Sequence, residues 1–188
     1  MARDPLYDTY AVTLYFDSQT NELIEKAMRD IATATGNNYM LDNSVPPHLS
    51  LGLFHAEEEK EEELVNLFEE FAEGLKSRDA GLSLNFNDPD NFADKVIFLN
   101  VSRDEPLMKL NRDLHQLFLP HFEAGNNRNY LPENWVPHIA LAVKLCGPQF
   151  EKGFEVAKNS PLPKSAKITS ATLARCNPYN EVSKISLL

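Results

Sequence analysis

The sequence predicts a mixed fold of strands and helices, α/β or α+β, built from two similar halves. Apolar residues recur with a period of two in some segments and at helical spacing in others, so strand-like and helix-like segments alternate along the 188 residues. The order strand, helix, strand, helix, strand occurs twice. We therefore expect a single domain, residues 1–188, whose repeated halves span about 9–87 and 95–188.

The first half begins with a strand at 10–16, a segment rich in β-branched and aromatic residues. Apolar residues at helical spacing then predict a helix that ends at Gly36, because glycine is the usual left-handed cap after a helix. The next elements are expected to be a strand at 48–54, a helix at about 57–76 and a strand at 80–86. The Asn- and Asp-rich stretch 87–91 predicts a turn that joins the halves.

The second half repeats this order, starting with a strand at 95–101. The apolar stripe of the following helix comprises Leu107, Leu110, Leu114, Leu117 and Phe118. His121 falls on the same stripe and is expected to have a structural or capping role, whereas His55 and His115 are expected at the surface. The remaining elements are expected to be a strand at 138–145, a helix at about 148–158, and a hairpin of 167–175 with a last strand to Leu188.

Each half contains a short strand that begins with a proline and a histidine, Pro47-His48-Leu49-Ser50-Leu51 and Pro137-His138-Ile139-Ala140-Leu141. Successive side chains of a strand point to opposite faces, so His48 shares a face with Ser50, and His138 with Ala140. The apolar neighbours can enter the core while the imidazoles line a cleft. Both strands follow a Gly-Asn-Asn sequence, whose glycine we interpret as a helix cap in each half. We therefore expect both histidines at one central site.

These motifs resemble those of the 2H phosphoesterase superfamily, which includes the LigT-like bacterial RNA 2′,5′-ligases and cyclic phosphodiesterases. The superfamily signature is one His-x-Ser/Thr-hydrophobic motif in each half. His48-Leu49-Ser50-Leu51 fits it fully, whereas Ala140 stands where the second motif has a hydroxyl. The resemblance covers nearly the whole chain. It implies an α+β fold with two lobes of mostly antiparallel sheet, flanked by helices, around a central cleft.

Two imidazoles suit phosphodiester cleavage, because with an ordinary pKa near 6.5 one can accept a proton while the other donates one to the leaving sugar oxygen. A zinc hydrolase usually has His-x-x-x-His or His-x-His spacing, and a Ser-His-Asp hydrolase a Gly-x-Ser-x-Gly elbow; neither pattern occurs here. We expect His48 and His138 to be catalytic, Ser50 to bind phosphate, and no metal or cofactor to be needed. The expected substrate is a 2′,3′-cyclic phosphate or a 2′,5′-linked ribonucleotide, including RNA ends.

Further side chains are candidates for holding this substrate. Flat faces for base stacking and cations for phosphate are offered by Tyr39, Tyr130, Trp135, Arg128, Lys144 and Arg175. Lys144 is expected on the His138 face of its strand. For the hydroxyl missing at Ala140 we expect a replacement, namely a cation such as Lys144 or Arg175, or a bound water. The alternative interpretation of Ala140 is a nucleotide- or RNA-end-binding regulatory relative with little catalytic activity.

Composition limits the partners of the chain. The formal net charge is −10, and a protein that binds duplex nucleic acid normally presents a basic surface to the phosphates. With 43% apolar residues and no apolar run of membrane-spanning length, the chain has the composition of a globular domain. The start of the chain has no apolar signal-peptide segment. We expect a cytoplasmic monomer that binds a small cyclic nucleotide or an RNA end, and neither duplex nucleic acid nor membrane.

Overall fold

The computed structural model describes residues 8–76, 83–177 and 179–188. Within these residues the strands are β1 (Thr9–Phe16), β2 (Leu49–His55), β3 (Ser83–Phe92), β4 (Val96–Val101), β5 (Glu123–Ala124), β6 (His138–Ala142), β7 (Ser165–Cys176) and β8 (Tyr179–Ser186). The α-helices are α1 (Ser18–Thr35), α2 (Tyr39–Asp42), α3 (Glu61–Lys76), α4 (Glu105–Phe118) and α5 (Pro148–Asn159). Short 3₁₀ turns lie at Glu58–Lys60 and Asn126–Arg128.

The strands form two lobes of antiparallel sheet. Neighbouring strands follow the order β5-β2-β1-β7-β3-β4-β6, and β8 pairs with β7. Strand β3 joins the lobes, because its residues 83–85 pair with β7 while residues 86–92 pair with β4. One lobe therefore contains β1, β2, β5, β7 and β8, and the other contains β3, β4 and β6. The predicted α+β class, with two lobes of mostly antiparallel sheet, is confirmed.

Helices cover one face of each lobe. Helix α4 packs on β2 and on α3, which also contacts β7 and β8. Helices α1 and α5 pack on each other and on the second lobe, where α1 contacts β6 and α5 contacts β3 and β4. Strands β7 and β8 thus complete the first lobe, while α1 covers the second. Each lobe therefore contains elements from both halves of the sequence. The boundary near residue 87 does not coincide with the boundary between the lobes.

The interfaces between helices and sheets form the hydrophobic core. Strand β1 contributes Tyr10, Val12, Leu14 and Phe16 from the face that carries the helices, all buried. The apolar stripes predicted for the helices point to the same interior, for example Ile24 and Ile31 of α1. Each fully buried side chain of this size contributes roughly 1.5–3 kcal/mol through removal of apolar surface from water. This packing fixes the strands that carry the two histidines.

The turn predicted at 87–91 is wrong, because β3 continues through these residues as far as Phe92. The register between β3 and β4 shifts between Phe86 and Pro89, so the polar residues form an irregularity within the strand. The reversal comes later, at Ala93 and Asp94, which both have positive φ. The lengthened strand carries Phe92 across to the second lobe.

Only the first of the two Gly-Asn-Asn glycines caps a helix. Gly36 has φ 70° and its N–H donates to the carbonyl of Ala32, as expected for a left-handed cap. Gly125 follows the short strand β5 and is extended, with φ −81° and ψ 179°. The prediction of a second cap is therefore wrong. The positive φ values of this loop fall instead on Asn126, Asn127 and Arg128.

Two of the three histidines outside the motifs do not lie where the sequence predicts. Helix α4 ends at Phe118, before Pro120, so His121 lies beyond the buried stripe; its Nδ1 is 2.7 Å from Glu63 at the surface. His115, expected at the surface, is buried against Phe54, and its Nδ1 lies 2.7 Å from the carbonyl of Asn111. His55 is half-buried, with Nδ1 3.0 Å from the Thr9 hydroxyl.

No helix within the described residues is both long and apolar enough to cross a bilayer.

Candidate active site

The two motif histidines lie at equivalent points of the two lobes. His48 immediately precedes β2 and His138 is the first residue of β6, and these two strands contact each other. The His48 Nδ1 lies 2.8 Å from the carbonyl oxygen of Pro46, and the His138 Nδ1 lies 2.8 Å from that of Val136. A carbonyl oxygen only accepts hydrogen bonds, so each Nδ1 carries the proton and donates it. In both neutral rings Nε2 is consequently the basic nitrogen.

The electrostatics of the two imidazoles are linked. Burial lowers the pKa of His48 below its usual value, because the charged imidazolium is poorly solvated there. Burial also lowers the pKa of His138, and the positive charge of His48 lowers it further. Hydrogen bonds to Pro46 and Val136 act in the opposite direction but are weaker. The two rings are therefore close enough for protonation of one to disfavour protonation of the other.

Ser50 belongs to a row of polar residues across the first lobe. Ser50 of β2 pairs with Thr13 of β1, Thr13 pairs with Thr172 of β7, and Thr172 pairs with Lys184 of β8. Directly paired residues share a face of the sheet, so all four lie on the face opposite the helices. The Ser50 side chain also lies close enough to the Tyr130 hydroxyl to influence its pKa. Tyr130 in turn has its ring centroid 6.5 Å from that of His138, so it links the two motifs.

An aromatic wall surrounds His138. Its ring meets Phe92 edge-on with centroids 4.9 Å apart, and Phe98 lies 5.3 Å away. These phenylalanines pack on each other at 4.3 Å. Phe98 pairs directly with Ala140 across β4 and β6, so the small side chain at 140 lies beside this wall. Apolar surroundings explain why burial depresses the pKa of His138.

A cavity of about 450 Å³ opens against His138. It is lined by Phe92, Asn126, Asn129, Tyr130, Asn134, Trp135, Val136 and His138. Its size and its mixture of aromatic rings with a few amides are typical of sites for small organic ligands. Burial raises the pKa of Tyr130 to about 12, so its hydroxyl stays protonated and can donate a hydrogen bond at neutral pH.

Some of the other candidate residues belong to this site and others do not. Tyr130 lines the cavity, and so does Trp135, although only 1% of its surface is exposed and its main role is packing. Tyr39 is exposed on α2, where the Lys144 ammonium lies 3.9 Å above its ring. Strand β6 ends at Ala142 and Lys144 has φ 57°, so the expectation that Lys144 shares the His138 face of a strand is wrong.

The two candidate arginines point away from the cavity beside His138. Arg175 pairs with Tyr10 on the helix-covered face of the sheet, opposite the row that contains Ser50, and donates to Glu61 at 2.7 Å. Arg128 lines a different hollow, together with Arg112 and His115. Lys144 and Arg175 were the cations expected to replace the hydroxyl missing at Ala140. Neither of them is directed at the histidines.

The sequence did not identify several residues that shape the site. Phe92 and Phe98 flank His138, Tyr15 has its ring centroid 6.3 Å from that of His48, and three asparagines line the cavity. Asn111 is fully buried, and its amide donates to the carbonyls of Leu51 at 2.7 Å and Tyr130 at 3.1 Å. The second Gly-Asn-Asn sequence marks the loop whose asparagines line the cavity. Its role could not be recognised without the fold, because the same sequence caps a helix in the first half.

Within residues 8–76, 83–177 and 179–188, no three His, Cys, Asp or Glu side chains are close enough together to hold a metal ion.

The family model of the 2'-5' RNA ligase superfamily matches residues 17–178. The chain belongs to this superfamily, and the resemblance to 2H phosphoesterases is confirmed. Members are generally phosphodiesterases or RNA ligase-like enzymes. No curated protein matches the chain by sequence.

Solved structures share the fold over nearly the whole chain. Escherichia coli LigT, in a crystal structure with 3'-AMP, has a TM-score of 0.60 at 20% identity, covering 95% of this chain and 97% of LigT. The protein TT0787 of Thermus thermophilus has a TM-score of 0.59 at 15% identity, with 95% and 97% covered. Kluyveromyces marxianus Usb1 has a TM-score of 0.50 at 10% identity, with 96% and 97% covered. At these identities the likeness establishes the fold.

Proposed function

We propose that this protein is a metal-independent phosphoesterase that acts on 2′,3′-cyclic phosphates or 2′,5′-linked ribonucleotides, including RNA ends, with His48 and His138 as general acid and base. The observation that carries the proposal is the matched arrangement of the two imidazoles. Each donates from Nδ1 to the carbonyl two residues earlier, and the two rings influence each other's charge. Such a pair can hold one proton between two basic Nε2 atoms, as acid and base catalysis requires.

In the proposed mechanism the two imidazoles hydrolyse a cyclic phosphate by passing protons in opposite directions. The neutral imidazole takes a proton from water as the water oxygen forms a bond to phosphorus. The bond from phosphorus to one ribose oxygen breaks, and the protonated imidazole donates its proton to that oxygen. One water is consumed, a phosphate monoester forms, and the two imidazoles have exchanged protonation states. General acid and general base each contribute about a hundred- to ten-thousand-fold.

Attack by a 5′-hydroxyl in place of water joins two nucleosides through a 2′,5′ linkage. In this reaction the bond from phosphorus to O5′ forms and the bond to O3′ breaks. The reverse reaction cleaves the linkage, with the roles of the two histidines exchanged.

The phosphate needs hydrogen-bond donors on its non-bridging oxygens. Ser50 supplies one hydroxyl. We assign the second to Tyr130, whose hydroxyl lies near Ser50, remains protonated at neutral pH and belongs to the loop beside His138. A preorganised donor of this kind contributes about 3 kcal/mol to transition-state stabilisation. The cavity beside His138 supplies the place for the nucleoside, with Phe92 as a face for the base.

The proposal is tested by incubating the purified protein with the four nucleoside 2′,3′-cyclic phosphates, with and without EDTA. We expect turnover to a single phosphate monoester regioisomer and no loss of rate with chelator. Turnover that disappears with EDTA and returns with zinc would contradict the mechanism. Ala140 favours a second candidate function, a nucleotide-binding relative with little catalytic activity. Binding of 3′-AMP without turnover of any cyclic or 2′,5′-linked substrate would support this second function and contradict the first.

A further inference from the structure

The face of the first lobe beside His48 carries an aromatic and cationic surface that the reaction of a cyclic mononucleotide does not use. We call it the Tyr15 ledge, formed by Tyr15, Tyr179 and Lys184. Tyr15 has its ring centroid 6.3 Å from the His48 ring, with 45° between the planes. The Lys184 ammonium lies 5.6 Å from the centroid of the same tyrosine. Tyr179 is 65% exposed, and its side chain lies near that of Tyr15.

The ledge is on the catalytic face of the sheet. Lys184 pairs with Thr172, which pairs with Thr13, which in turn pairs with Ser50. Because paired residues share a face, Lys184 and the phosphate-binding Ser50 lie on the same side of the lobe. In the part of the chain that the structure describes, no carboxylate forms an ion pair with Lys184. Its charge is therefore available to an anion bound on the ledge.

The chemistry of the ledge matches a nucleotide. An exposed aromatic ring offers a stacking face to any base, and a lysine beyond the ring offers a counter-charge to the next phosphate. Glu181 of the same strand acts electrostatically on Tyr179, so the Tyr179 end of the ledge disfavours an anion. The phosphate is thereby directed to the Lys184 end. In a chain of net charge −10, such a local cation provides a position at which an anion can bind.

The cleft accordingly has a place for a nucleoside on each side. The cavity of about 450 Å³ lies against His138, and the ledge lies against His48. A cyclic mononucleotide fills only the first, whereas a phosphodiester between two nucleosides fills both. Resting on the proposed function, we infer that the Tyr15 ledge binds the second nucleoside of a dinucleotide or RNA end, and that Lys184 binds the phosphate flanking that nucleoside. The scissile phosphate lies between the histidines.

Kinetics with matched substrates test this inference. The substrates are adenosine 2′,3′-cyclic phosphate and 2′,5′-linked diadenosine carrying no extra phosphate, a terminal 3′-phosphate or a terminal 5′-phosphate. We expect one of the two extra phosphates to lower the KM of the wild-type protein about tenfold, which identifies the nucleoside on the ledge. Lys184→Met should abolish that gain and leave turnover of the cyclic mononucleotide unchanged. Lys152→Met, on the exposed side of α5, is the matched control and should retain the gain.

Two outcomes would overturn the inference while the proposed function stands. One is turnover of the cyclic mononucleotide with no gain from either extra phosphate. The other is a gain that Lys184→Met and Lys152→Met affect equally. If no substrate is turned over, the proposed function fails. Calorimetric binding of the same dinucleotides to the wild-type protein then tests separately whether the Tyr15 ledge binds a nucleoside. About tenfold weaker binding of a phosphorylated dinucleotide in Lys184→Met alone would support it, and equal binding would refute it.

Discussion

His48 and His138 are oriented by the same backbone contact, since Nδ1 of each ring lies 2.8 Å from the carbonyl oxygen of the residue two positions earlier. In each case that residue belongs to the loop that leads into the strand, and a proline stands between it and the histidine. The contact fixes the tautomer and leaves Nε2 as the reactive nitrogen in both lobes. Equivalent local geometry at the two ends of one cleft is the basis of a mechanism in which acid and base can exchange roles.

We therefore predict that replacement of either histidine by alanine abolishes turnover of a 2′,3′-cyclic nucleotide. Because the two imidazoles act as a unit, the double variant should be little slower than either single variant. Single-turnover rates with the three variants measure this. His121→Ala, which removes an exposed histidine, serves as the control and should retain activity. Losses that multiply in the double variant would show that the histidines act independently.

The pH dependence of the reaction should reflect the depressed pKa values of both histidines. Catalysis needs one protonated and one neutral ring, yet burial favours the neutral form of both. As the pH falls below about 6.5, kcat/KM should rise while the first ring protonates, and it should fall again when the second does. The bell-shaped pH profile of kcat/KM should therefore be centred below the ordinary histidine pKa.

Substrate binding should shift this profile in a definite direction. The negative phosphate between the rings stabilises imidazolium, so the bell for kcat should lie at higher pH than the bell for kcat/KM. Rates measured from about pH 4.5 to 9 at saturating and at low substrate separate the two profiles. Coincident profiles centred above neutral pH would contradict a site that lowers the pKa of both histidines.

Asn111 provides a prediction about stability and site geometry together. Its buried amide donates to the carbonyls of Leu51 and Tyr130, the first next to Ser50 and the second in the cavity loop. Asn111→Ala removes the donor from a buried carbonyl and from a partly buried one, so we expect a loss of about 2–4 kcal/mol in the free energy of unfolding. Urea denaturation measures it. Asn159→Ala removes an exposed amide-to-carbonyl bond and should cost less than about 0.5 kcal/mol.

Local patterns predicted the strands, the helices and the two histidine motifs, because these depend on neighbours in the sequence. The cationic contacts depended on distant parts of the chain and were predicted less well. Arg175 lies on the helix-covered face and pairs with Glu61, 114 residues earlier, a contact that no local pattern encodes. Strand alternation predicted Lys144 on the His138 face, but β6 stops at Ala142 and the backbone turns at Lys144.

Loop conformation explains the other differences. The residues 87–91 have the composition of a turn, yet pairing with β4 keeps them in a strand and brings Phe92 to His138. Similarly, Gly125 has the sequence context of a helix cap but follows a strand. The loop after Gly125 instead places the Tyr130 hydroxyl near Ser50. Tertiary pairing decided the conformation of both segments.

The last prediction concerns the hydroxyl missing at Ala140. If the Tyr130 hydroxyl replaces it as a phosphate donor, Tyr130→Phe should lower kcat about a hundredfold, because one preorganised donor contributes about 3 kcal/mol. The folded structure should persist, since the ring and its packing remain. Ala140→Thr alone should change kcat little, because both donor positions are already occupied. Rates at saturating substrate and thermal melting of each variant measure these effects.

The combination of the two changes is the decisive measurement. Ala140 is half-buried beside Phe98, and a threonine there restores the hydroxyl of the family motif on the His138 face. Ala140→Thr should therefore recover most of the activity lost in Tyr130→Phe, so the two effects should not add. Ser50→Ala removes the other donor and should not be rescued by the threonine. A large rate gain in Ala140→Thr alone, with Tyr130→Phe as active as the wild type, would show instead that the second donor is absent and that Tyr130 only shapes the cavity.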